Sequence, residues 1–195
     1  MAGETARYAA KELSTDTWPD FERLFRTHAC WCMTYHRPRA LEEKEKLHSR
    51  IKSAARNRRQ KRGLVESGLA HGILVYDGGE PVGWCSYGLA TELPLIDSYR
   101  SYKKLAQSTD AKLWRITCFV VHHNHRRRGV ARAALRAALE AIRKKGGGTV
   151  EAYPMIRWGV GSDWFGTASM FAGEGFKMAA PFGRSNIVMR KEVSK

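Results

Sequence analysis

The chain has 195 residues, 43% of them hydrophobic, including six Trp; such a chain buries a core, and this composition excludes intrinsic disorder. No run approaches the ~20 apolar residues of a membrane helix, and the opening residues MAGETARYAAKEL lack the apolar core of a signal peptide. The formal net charge of +15 calls for an anionic partner or a steering field.

One domain, 1–195, is expected, and its elements follow in chain order. Arg7 to Leu13 reads as a first strand. Thr17 caps a helix with Pro19 and Asp20 in its first turn, ending near Phe25 or His28. Residues 28–38, HACWCMTYHRP, are aromatic and sulfur-rich, and Pro38 prevents simple helical continuity. Leu41 to Leu69 reads as a second helix. Its inward residues are Leu41, Leu47, Ile51, Ala54, Ala55, Leu64 and Val65, and its basic outer face includes Arg56, Arg58, Arg59, Lys61 and Arg62. Arg37 to Arg62 holds eleven Lys/Arg against three Glu.

Gly72 to Tyr76, the turn Asp77-Gly78-Gly79 and Pro81 to Tyr87 form a β-hairpin. Ala90 to Lys112 is a long irregular insertion. Trp114 to Val121 is a buried strand rich in β-branched and aromatic residues. Val130 to Ile142 carries apolar residues at i, i+3, i+4, i+7 spacing and reads as an amphipathic helix, closed by Gly146-Gly147-Gly148. Then come a strand Thr149 to Tyr153, a loop from Pro154, a short helix Trp164 to Gly173, a strand beginning at Gly175 and a last strand Ile187 to Arg190. Cys30, Cys32, Cys85 and Cys118 fit neither a disulfide framework nor a zinc spacing. No metal site is expected, and reduced thiols suit a cytoplasmic protein.

A strand feeding a small-residue turn into a helix presents unpaired N–H groups and the positive end of the helix dipole, which bind phosphate. Here that turn is Arg126-Arg127-Arg128-Gly129-Val130-Ala131, within a window of eight Lys/Arg against one Glu from Arg126 to Lys145. It lacks the Gly-Lys-Ser/Thr of a P-loop and the three glycines of a dinucleotide fingerprint. The R-x-x-G-x-A order, with Val121 five residues upstream, resembles motif A of the GNAT acetyltransferase superfamily. The hairpin before it and the later helix with Gly175-Phe176 are similar to that family too, so the resemblance covers Gly72 to the end. It implies an α/β (α+β) fold, with a mixed, mostly antiparallel central sheet and helices on both faces.

The resemblance also implies acetyl-CoA (coenzyme A) as cofactor. It would be held by Phe119, Val120 and Val121 of the strand, by Arg126, Arg127, Arg128, Gly129, Val130, Ala131 and Arg132 of the turn, and by Phe171 of the C-terminal helix. His122 and His123 would stand beside the phosphates. An acceptor site would draw on Trp31, Cys32, Trp84, Tyr87, Arg115 and Thr117. The family's usual acid is a tyrosine four residues before the Gly of Gly-Phe; here that position is Phe171, so Tyr153 is the replacement candidate. Strict alternation puts Arg115, Thr117, Phe119 and Val121 on one face of the strand and Trp114, Ile116, Cys118 and Val120 on the other. Neither face offers a carboxylate, so Glu151 on the next strand is the candidate base, acting through water.

The expected reaction is direct transfer of an acetyl group to a primary amine of a small molecule. An amine carried on an RNA such as an aminoacyl-tRNA, held by the basic 37–62 segment, is the alternative. A nucleic-acid-binding module on a degenerate scaffold is the third reading. No membrane partner is expected, and the oligomeric state stays open, with a homodimer compatible.

Overall fold

The computed structural model describes residues 7–37, 50–105, 112–156 and 163–195. Seven strands form one sheet in the order β1-β2-β3-β4-β5-β7-β6. They are β1 (Ala9–Glu12), β2 (His71–Asp77), β3 (Glu80–Leu89), β4 (Leu113–Val121), β5 (Gly148–Ala152), β6 (Lys177–Phe182) and β7 (Asn186–Val193). Every neighbouring pair is antiparallel except β4 and β5. The expected mixed, mostly antiparallel sheet is therefore present. Gly78 and Gly79 make the β2–β3 turn at φ 58° and 87°, values that favour glycine.

Helices cover both faces. On one face α4 (Val130–Lys144) and α5 (Ala168–Gly173) close a cluster that includes Ile73, Val75, Cys85, Tyr87, Trp114, Ile116, Leu135, Ile142 and Phe171. On the other, α1 (Trp18–Phe25), α2 (Arg50–Glu66) and the 28–37 segment cover Leu74, Tyr76 and Trp84. Thr17 stands at the N-cap of α1, but its hydroxyl turns back to Glu12 O at 2.9 Å instead of capping. The short α3 (Arg100–Lys103) follows two 3₁₀ turns inside the expected irregular insertion.

Three expectations need correction. The helix expected over Trp164 to Gly173 is split, because Gly166 takes a left-handed φ of 73°. A 3₁₀ turn at 163–165 precedes it, and Thr167 caps α5 by accepting from Met170 N–H at 3.1 Å. On α2, Ala55 is exposed while Asn57 and Lys61 are buried. Arg37 and the Ala29 carbonyl engage Asn57, so the inward stripe of α2 is partly polar. Leu41 and Leu47 lie outside the described residues, as does the side chain of Ile51.

The third correction concerns β4. Ser86 pairs with Cys118 and Tyr87 with Ile116, leaving Thr117 without an opposite residue. This β-bulge resets the alternation. Trp114, Ile116, Phe119 and Val121 therefore face the α4 side, and Cys118 and Val120 face the α1 side.

Candidate active site

β4 pairs with β5 only from Leu113 to Ile116, although it continues to Val121. β5 ends at Ala152, Pro154 follows, and Met155 bridges instead to Thr167 and Asn186. The two parallel strands thus part, and among the described residues no strand pairs with the β5-side edge of Thr117 to Val121. Backbone amides on such an edge need a partner. The Thr117 hydroxyl, at the bulge, is also buried with no partner among the described residues.

Beyond Val121 the chain turns into α4. His122 N–H donates to Val82 O at 2.9 Å, and Tyr8 Oη donates to Arg128 O at 2.9 Å, holding both ends of the turn. Arg127 has φ 57°, and Gly129, the N-cap, has φ 84° and no side chain to occupy the first amides of the helix. The start of α4 sits close on β3: a Cβ on Gly83 would lie 2.3 Å from Val130 Cγ1. Arg126, Arg127, Arg128 and Arg132 are exposed around this turn, as are His122 and His123. Glu174 takes Arg136 at 2.9 Å and approaches Arg132 at 3.9 Å. An anion-binding helix start therefore lies at the mouth of the parted strands.

Phe171 stands on the α4 side, its ring 6.0 Å from that of Phe119 and 5.1 Å from that of Phe176. Gly166 fits against Phe119 and Phe171, where a Cβ would come within 3.3 Å of both.

Glu151 and Tyr153 form a buried polar network. Glu151 is 0% exposed; its Oε2 accepts from Tyr102 Oη at 2.6 Å and Tyr153 Oη at 2.8 Å, and its Oε1 pairs with Arg190 Nε at 2.7 Å. Burial, then the adjacent carboxylate, pushes the Tyr153 phenol well above its ordinary value. A carboxylate with both oxygens engaged and a phenol this reluctant to ionise are poorly placed for proton transfer. Arg115, 1% exposed, donates to Leu93 O at 2.8 Å and pairs with Asp97 at 2.5 Å, so it ties the 90–105 segment to the sheet.

The expected acceptor residues divide. Trp31 and Trp84 pack with Phe21 and Phe25, and Trp84 Nε1 donates to Cys32 Sγ at 3.3 Å. Thr117 lies at the bulge next to Cys118, which is on this same side of the molecule. Tyr87 lies on the opposite face, where its hydroxyl donates to Glu12 at 2.9 Å. His36 and Lys61, absent from the sequence reading of the site, are joined at 3.0 Å on the α1 side. A lysine inside a run of basic residues carries no sequence signal of its inward position.

A sheet whose two parallel strands part above such a helix start offers an open backbone edge and an anion site to one extended ligand. Residues 13–155 match the Acetyltransferase (GNAT) family. The chain belongs to this family and is an acyltransferase. Its fold is similar to an acetyltransferase of the GNAT family from Desulfovibrio desulfuricans, at 13% identity and TM-score 0.56 over 96% of this chain and 99% of that one. The ribosomal-protein-S5-alanine acetyltransferase of Vibrio fischeri is similar at 13% identity and TM-score 0.56, over 96% and 93%. So is the PaiA N-acetyltransferase of Thermoplasma acidophilum in complex with coenzyme A, at 14% identity and TM-score 0.54, over 95% and 98%. No match was found among curated proteins. Enzymes of this family use acetyl-CoA, and the open β4 edge, the partnerless Thr117 hydroxyl and the Gly129 turn fit such a ligand.

Proposed function

We propose that this chain transfers the acetyl group of acetyl-CoA directly to the primary amine of a small molecule. The observation that carries the reading is the parting of β4 from β5 beyond Ile116, above the Gly129 turn. When bound, acetyl-CoA supplies an activated acyl group as a thioester. The first amides of α4 and the arginines around them hold the phosphates. The unpaired edge of Phe119, Val120 and Val121 holds the amide-bearing arm, and the bulge at Thr117 orients the carbonyl. Positioning supplies much of the rate, because the thiolate is a good leaving group, with a thiol pKa of ~8.5. Neither Glu151 nor Tyr153 is needed as base or acid in this account.

A small acceptor suits a site bridged by the edge-on contact of Tyr35 with Phe165, at 6.1 Å, which joins the 28–37 segment to the 163–165 turn. The basic helix is partly self-neutralised: Arg58 pairs with Glu22 at 2.5 Å and Arg62 with Glu66 at 2.9 Å. Both facts weigh against an RNA-borne acceptor. Among the described residues no helix is long and apolar enough to cross a membrane; with four free cysteines, a reducing cytoplasmic setting suits the chain. The test is thiol release from acetyl-CoA across a panel of small amines, N-terminal alanyl peptides and aminoacyl-tRNA. Turnover confined to small amines supports the proposal, and turnover confined to peptides or tRNA overturns it.

A further inference from the structure

The α1 side of the β4 bulge holds a set of reactive groups that acetyl transfer does not require. Cys118, next to Thr117, projects there beside Cys32 of the 28–37 segment. Trp31 and Cys32 both take left-handed backbone, at φ 48° and 54°, which non-glycine residues seldom adopt and which clusters at functional sites. Cys32 is 7% exposed, and Trp84 Nε1 donates to its sulfur at 3.3 Å.

Lys61 lies in the same place and is 0% exposed. His36 Nδ1 is 3.0 Å from the Glu92 carbonyl, which can only accept, so Nδ1 carries the hydrogen and Nε2 accepts from Lys61 Nζ at 3.0 Å. His36 is therefore neutral and supplies no counter-charge. Among the described residues no carboxylate lies within ion-pair distance of Lys61. Glu92, whose field also reaches Lys61, is engaged by His71 Nε2 at 3.3 Å and by Leu89 N–H at 3.0 Å. Burial lowers the Lys61 amine from its ordinary value, and the field of Cys32 opposes that shift. The hydrogen bond from Cys118, opposed by burial and aided by Lys61, brings Cys32 to about 6. The same bond, with burial, raises Cys118 well above its ordinary value. The two sulfurs, in one cluster on this face, thus shift each other in opposite directions.

We propose that Cys32 and Cys118 form an oxidisable dithiol, a modification site for oxidants of the peroxide class. The Cys32 sulfur attacks one peroxide oxygen, the O–O bond breaks, and the hydroxide released takes a proton to become water. Cys32 becomes a sulfenic acid, oxidised by two electrons. The Cys118 sulfur, giving up its proton, then attacks the Cys32 sulfur, the S–O bond breaks and a second water leaves. The sum is two thiols and hydrogen peroxide giving one disulfide and two waters. The bond ties the 28–37 segment to the β4 bulge. Cys30, two residues before Cys32, is exposed.

The test uses the full chain carrying Cys30→Ser, so that the exposed thiol does not compete. After near-stoichiometric hydrogen peroxide and alkylation, peptide mass spectrometry should find the Cys32 and Cys118 peptides joined, two hydrogens lighter than their sum and separable by dithiothreitol. Adding Cys118→Ser should leave a sulfenic acid at Cys32 that dimedone traps. Adding Lys61→Met should slow oxidation about tenfold, through the lost thiolate. Unmodified Cys32 and Cys118 after peroxide, or no dimedone adduct in the Cys118→Ser variant, overturns the proposal. These readouts are independent of acetyl transfer.

Discussion

Arg115 and Glu151 stand opposite each other in the parallel β4–β5 ladder, yet each is neutralised by a different partner. Arg115 reaches Asp97, and Glu151 reaches Arg190 on β7. The Tyr102 hydroxyl lies between them, 2.6 Å from Glu151 and 3.3 Å from Arg115. This network fastens the 90–105 segment and the β5–β7 pair to the central strands, a structural role.

Glu151→Gln should therefore act on stability. Removing one partner of a buried pair costs about 3 kcal/mol, and Arg190 keeps some water contact, so a loss of about 2–3 kcal/mol is expected. Denaturant unfolding measures it. The pH dependence of kcat/KM should keep its shape in Glu151→Gln and in Tyr153→Phe; a lost ionisation in either variant would restore that residue as base or acid.

Gly83 couples the sheet to the phosphate turn. A methyl group there meets Val130 Cγ1 at 2.3 Å, so Gly83→Ala should displace the start of α4, costing about 1–3 kcal/mol, and weaken CoA binding. Val130→Ala in the same chain should recover much of both losses. Thermal unfolding and CoA titration of the single and double variants check this.

The turn at Gly129 was legible in the sequence because strand, small residue and amphipathic helix lie contiguously, and local pattern suffices to define them. The bulge at Thr117 was not, because it exists only in the register of β4 against β3. For that reason strict alternation put Phe119 with Arg115 and Cys118 with Trp114. Likewise Glu151 read as an available carboxylate, since its partners Tyr102 and Arg190 lie 49 and 39 residues away along the chain. Lys61 read as part of a solvated face because Asn57 and Lys61 interrupt the apolar stripe of α2 with buried polar contacts. The Gly166 break was hidden inside an apparently continuous WFGTASMFAG helix.

Acid should weaken the fold through two groups. Cys32 is lowered to about 6 by its bond from Cys118, and burial holds His36 well below its ordinary value. Both folded-state values lie below the unfolded ones, so the folded protein binds fewer protons and stability is lost as pH falls. Cys32 acts from about 8.5 down to about 6, and His36 from about 6.5 downward, each at up to about 1.4 kcal/mol per pH unit. Unfolding free energies across this range should flatten in the upper part in Cys32→Ser and in the lower part in His36→Gln.

The basic helix should prove dispensable for CoA. Reversing Arg58, Arg59 and Arg62 to Glu removes charge from an exposed face, two of whose arginines already hold carboxylate partners. CoA affinity should stay unchanged, and tRNA binding should be weak in wild type and variant alike. Tight tRNA binding by wild type, with a steep salt dependence of roughly −0.7 per phosphate contact that the variant flattens, would favour the RNA-borne acceptor.

The central claim is that the Gly129 turn at the mouth of the parted strands binds the phosphates of acetyl-CoA. Calorimetric titration of CoA into wild type and Gly129→Glu tests it most directly, with thermal unfolding confirming that the variant is folded. At φ 84° a glutamate brings backbone strain, bulk and a like charge to the amides that face the phosphates. The account predicts saturable binding by wild type and none by folded Gly129→Glu; unchanged affinity in the folded variant would contradict it.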